Sequence, residues 1–88
     1  MSHVVEFSPA AARQLKKLDR PIQIRVLRRI EKLGSEPRPS NATIIKGTDH
    51  TLYRVREGDY RIIYTIEDDQ LIVLVVRIGH RSEVYRKI

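Results

Sequence analysis

Gly58-Asp59 stands between Leu52-Tyr53-Arg54-Val55-Arg56 and Tyr60-Arg61-Ile62-Ile63-Tyr64. If those two residues form a tight hairpin turn, Arg56 pairs with Arg61 and Arg54 with Ile63. The side-chain period of two then puts Arg54, Arg56 and Arg61 on one face, and Tyr53, Val55, Ile62 and Tyr64 on the other. Like charges facing each other across a ladder are destabilising. A sheet that keeps them has an anion to put there. Arginine is the side chain suited to a phosphate, which its planar fork grips through two donors. The alternative is a solvated face whose arginines pair with Glu57, Asp59 or Glu67. For proton transfer the candidates near the strand ends are His80 and Tyr85, histidine being the type suited to that work near neutral pH.

Other chemistries find no residues to do them. The chain has no cysteine, which removes thiol catalysis, disulfides and Cys-ligated metals. Its three histidines are scattered without paired spacing, so no metal and no cofactor is expected. None of the four glycines falls in a phosphate-loop pattern. Seventeen Lys and Arg against 11 Asp and Glu give a net charge of +6. A basic surface of that kind fits nucleic acid, an anionic membrane or an acidic protein. The predominance of arginine over lysine favours nucleic acid. With 88 residues and 41% hydrophobic content, residues 1–88 make one domain. No apolar run reaches the ~18 residues of a membrane span, and a cytoplasmic protein is expected.

Those side chains need a sheet and something to cover it. Residues 3–7 read as a short strand. Ser8-Pro9 caps a helix over 10–18, and Asp19-Arg20-Pro21 starts a second with Ile22, Val26, Leu27, Ile30 and Leu33 at helical spacing. Arg25, Arg28, Arg29 and Lys32 form its wet side, and Gly34 ends it as a C′ residue. Prolines 37 and 39 mark a loop. Strands follow over 43–46, 51–56, 60–67 and 70–78, with Gly79 breaking the last. The strands over 60–66 and 71–78 are apolar at nearly every position and belong at the centre of the sheet. The expected order is β-α-α-β-β-β, an α+β fold with two N-terminal helices packed on an antiparallel sheet.

Three segments carry a family resemblance: 52–56, Asp59-Tyr60-Arg61-Ile62-Ile63-Tyr64, and Val76-Arg77-Ile78-Gly79-His80-Arg81-Ser82-Glu83-Val84-Tyr85. Together they resemble the C-terminal half of RelE-type toxins of the RelE/ParE superfamily. Phe7-Ser8-Pro9-Ala10-Ala11 and Lys46-Gly47 also match. The resemblance implies a RelE-like fold, similar to the small microbial ribonucleases. It implies a type II toxin that cleaves mRNA in the A site of the 70S ribosome, an mRNA interferase that inhibits translation. A cognate RelB-like antitoxin would hold it inactive in a hetero-oligomer. No metal is implied: the 2′-hydroxyl attacks the adjacent phosphate.

By motif, Arg61 would grip the scissile phosphate, and Arg81 would stabilise charge or assist the leaving group. Tyr85 would stack on a base or orient the 2′-hydroxyl. Arg54 and Arg56 would hold flanking phosphates where relatives often carry lysines, and Lys46 joins the phosphate-binding set. Arginine is a poor general base, so His80 is the candidate base, the alternative being that it only caps the strand or contacts rRNA. The competing reading is a ParE-like toxin that binds and poisons DNA gyrase without nuclease chemistry.

Overall fold

The structure, a computed structural model, describes residues 2–46 and 51–82. The elements are β1 (Val4–Phe7), α1 (Pro9–Lys16), α2 (Arg20–Ser35), β2 (Thr43–Lys46), β3 (Thr51–Glu57), β4 (Tyr60–Glu67), a 3₁₀ turn (Asp68–Gln70) and β5 (Ile72–His80). The strands form one five-stranded sheet in the order β1-β5-β4-β3-β2. The two most apolar strands therefore do lie inside the sheet. β2 through β5 are antiparallel, but β1 runs parallel to β5, with Val5 opposite Val73.

Both helices pack on one face. Ala11, Val26, Ile30 and Leu33 meet Val55, Ile62, Tyr64, Val73, Val75 and Ile78, all buried. α1 starts where Ser8 Oγ accepts the Ala11 N–H at 3.0 Å. Its donors are otherwise unsatisfied at that end, and Pro9 has none to lose. Gly34 does not end α2, as the sequence suggested, but lies in its last turn. A Cβ there would stand 3.0 Å from the His3 carbonyl oxygen of β1. The glycine is selected by that close approach, not by a left-handed cap. Gly79 likewise does not break β5 but pairs with Arg61 inside it. Gly58 has φ +60° in the tight turn, a conformation cheap only for glycine.

One irregularity sets the faces of β5. Ile63 pairs with Arg77 and Tyr64 with Val75, which leaves Val76 as an unpaired bulge residue. α1 holds the distortion. Ser8 Oγ donates to the Val76 carbonyl at 2.7 Å, and Gln14 Oε1 accepts the Ile78 N–H at 2.7 Å. The bulge keeps Arg77 out of the core and Ile78 in it.

Tyr64 brings a polar end into the core cluster. Its hydroxyl donates to the Pro37 carbonyl at 2.7 Å, and its ring stacks on Tyr53 at 5.5 Å. Burial, then the neighbouring Tyr53, pushes the phenol up to about 12. The folded value lies above the ordinary one near 10. The contribution is whole below pH ~10 and is lost as pH rises towards the folded value. Urea midpoints should therefore fall between pH 10 and 12, and Tyr64→Phe should flatten that fall. An equal fall in the variant would assign the loss to other groups.

Candidate phosphate-binding site

The hairpin register is as the sequence predicts: Arg56 opposes Arg61, Arg54 opposes Ile63, and Gly58-Asp59 is the turn. Tyr53, Val55, Ile62 and Tyr64 face the helices, so Arg54, Arg56 and Arg61 share the face the helices leave uncovered. Beyond the bulge, alternation brings Arg77 to this face opposite Ile63. The backbone of Arg81 joins the same end of the sheet, its N–H donating to the Asp59 carbonyl at 2.8 Å.

Of the acids that could neutralise this face, Asp59 lies in the turn itself, and the others are engaged elsewhere or far away. Glu57 faces the helices and pairs with Arg25 at 3.2 Å. Glu67 lies about 20 Å along β4 from Arg61 at the usual strand rise. Asp68 is taken by Arg38 at 2.7 Å and His3 at 3.2 Å. Those two partners, Arg38 first, hold its carboxyl below the usual range. Among the described residues, no ion pair involves Asp59, Arg56, Arg61, Arg77 or Arg81. Among the described residues, neither Glu57, Asp59 nor Glu67 pairs with Arg56, Arg61 or Arg77, as the alternative reading would have had it.

Two of these arginines make side-chain hydrogen bonds on the sheet itself. Arg61 Nη1 reaches the Gly58 carbonyl at 3.5 Å, and Arg54 Nη2 donates to Thr43 Oγ1 at 3.2 Å. Arg77 Nε is buried and has no hydrogen-bond partner among the described residues. A buried donor left open costs free energy until something accepts from it. The sequence reading missed Arg77 as a site residue, although a cation inside an apolar central strand was the available signal.

Not every expected residue joins the cluster. His80 pairs with Tyr60, one rung past Arg61–Gly79, and so projects to the opposite face. Its ring meets Tyr60 edge-on at 5.7 Å. The proposed base and the proposed phosphate grip stand on different sides of one sheet. Lys46 ends β2, its backbone paired with Thr51, away from the Thr43–Arg54 pair. Tyr85 lies outside the described residues. Also among the described residues, no group of three or more His, Cys, Asp or Glu gathers as a metal site, and no helix is long and apolar enough to cross a membrane.

A sheet end this rich in arginine donors has the chemistry that phosphate oxygens require. Comparison with known proteins places the chain in a family. The family model described as ParE toxin of type II toxin–antitoxin system, parDE, matches residues 5–85. A putative RelE-like toxin protein of Escherichia coli is 31% identical, over 97% of this chain and 92% of its own. The mRNA interferase toxin RelE of E. coli K12 is 24% identical over the same shares. The archaeal RelE–RelB complex from Pyrococcus horikoshii superposes with a TM-score of 0.80 at 26% identity, covering 96% of this chain and all of that one. The chain belongs to the RelE/ParE superfamily of type II toxin–antitoxin toxins, as a RelE-type member.

Proposed function

We propose that this toxin is a ribosome-dependent mRNA endoribonuclease that inhibits translation. The observation that carries the reading is the arginine face of β3 and β4, on which Arg56 and Arg61 oppose each other across the ladder and neither makes an ion pair among the described residues. The name of the E. coli relative, an mRNA interferase, supports it. In the proposed reaction the 2′-hydroxyl oxygen of one nucleotide attacks the adjacent phosphorus and its proton passes to water. Negative charge grows on the phosphate oxygens, and the bond to the 5′-oxygen breaks as that oxygen takes a proton from water, leaving a 2′,3′-cyclic phosphate and a 5′-hydroxyl. Arg61 grips that phosphate, and Arg81 stabilises charge at the departing oxygen. Arg54 and Arg56, with Lys46, hold flanking phosphates, and Tyr85 stacks on a base or orients the 2′-hydroxyl. We add Arg77, whose open donor lies on the same face. Preorganised donors aimed at growing charge are a large term in such catalysis. This is chemistry that arginine can do without being a base.

The match to a ParE family model keeps a second reading in play, a binding module that poisons DNA gyrase. One experiment separates them. Purified protein is added to a translating extract and a reporter mRNA is mapped by primer extension. Ribosome-dependent cuts support the nuclease. Intact mRNA with trapped gyrase–DNA complexes supports the other reading.

The inhibitory partner, by the RelE–RelB precedent, is a RelB-like antitoxin in a hetero-oligomer. A net charge of +6 favours an acidic or amphipathic segment and fast electrostatic capture. The association rate should fall about tenfold or more between ~50 and ~300 mM salt, while the dissociation rate changes far less. A salt-independent association rate would remove the steering argument.

A further inference from the structure

On the helix side of the same sheet end is a hollow of about 200 Å³ lined by Gln14, Lys17, Leu18, Tyr60, Ile78 and His80. It is smaller than the ~300 Å³ of a drug-sized site, which leaves room for one flat ring system. Its walls mix an aromatic pair with donors. Tyr60 and His80 meet edge-to-face. Gln14 gives its Oε1 to the Ile78 N–H, so its NH₂ keeps donors with no partner among the described residues. The Ser82 N–H donates to His80 Nδ1 at 3.3 Å. The same Nδ1 lies 2.9 Å from Ser82 Oγ, so the loop after β5 holds the ring in place. Lys17 adds an exposed cation at the C-terminal end of α1.

We propose that this hollow is a nucleobase subsite, taking the base of a nucleotide next to the one held on the arginine face. The inference rests on the ribonuclease reading. Position is the argument. The Tyr60–His80 pair is the rung beside Arg61–Gly79, and Arg81 follows His80 directly. A single strand bound by its phosphates on one face needs only to turn over the end of β4 and β5 to bring a base against the other. Aromatic side chains with a nearby cation are the usual platform for an unpaired base, and they tolerate any sequence. His80 on this account positions RNA and does not take the 2′-hydroxyl proton.

Two arms test it. In the first, NMR of the isolated protein follows the ring signals of Tyr60 and His80 and the side-chain N–H signals of Arg56 and Arg61. Adenosine, which has no phosphate, should move the ring signals, and inorganic phosphate should move the arginine signals. Rings unmoved by adenosine, with arginines still moved by phosphate, would overturn the subsite and leave the phosphate site standing. This arm needs no cleavage, so it reads the hollow even if mRNA stays whole.

In the second arm, Lys17→Glu and His80→Ala are assayed on programmed ribosomes. Losing a stacking or charge contact should raise the half-saturating ribosome concentration about tenfold. The loss should appear there and not in the saturated single-turnover rate or its pH profile. A slowed saturated rate whose rise with pH is flattened in His80→Ala would make His80 the base and remove the proposal. Lys17 is exposed, so that variant keeps the test independent of folding.

Discussion

Replacing Arg61 with alanine is expected to cut ribosome-dependent mRNA cleavage about a hundredfold or more while making the fold slightly harder to unfold. The two effects come from one fact. Arg61 faces Arg56 directly across the β3–β4 ladder, with no ion pair to either among the described residues. Removing a preorganised donor from growing phosphate charge typically costs two to three orders of magnitude. Removing one of two opposed like charges returns up to ~1 kcal/mol of stability. Cleavage measured by primer extension, together with a urea midpoint, reads both. A variant that cleaves normally ends the assignment of Arg61. A variant that loses activity because its midpoint has collapsed shows a structural residue instead.

The largest stability effect belongs one position along. Ile62 is fully buried in β4, against the helices. Ile62→Ala removes three carbons from a packed core and should cost roughly 3–4 kcal/mol, transfer and cavity together. Domains of this kind hold about 5–15 kcal/mol in all. Urea unfolding at neutral pH should show the midpoint falling with an unchanged slope. A loss under ~1 kcal/mol would mean that the helices close over the gap.

How far the sequence could be read depended on where period-two alternation survives. Across the β3–β4 hairpin it survives, because Gly58 fixes a two-residue turn and the turn fixes the register. That is why Arg54, Arg56 and Arg61 were legible as one face. In β5 alternation fails at Val76, and nothing in Val75-Val76-Arg77 marks which valine is the extra one. The bulge depends on Ser8 and Gln14, more than sixty residues away in sequence. Arg77 was thus overlooked, and the face that His80 takes could not be read from the alternation. The glycines misled for a related reason. Gly34 and Gly79 were read as local punctuation. Gly34 is set by the strand packed against it, and Gly79 lies in the last strand, opposite Arg61.

The parallel pairing of β1 with β5 also has a kinetic side. The first strand of the chain finds its partner only when residues 72–80 are in place. The β3–β4 hairpin is local in sequence and closes early. The β1–β5 contact spans nearly the whole chain, and contacts of such separation slow folding. During synthesis, β1 and the apolar faces of α1 and α2 must wait beside unfinished sheet. A nascent chain therefore displays the hairpin arginines before Arg77, His80 or the hollow beside Tyr60 have been assembled. The arginine face is therefore complete only once β5 has its place between β1 and β4.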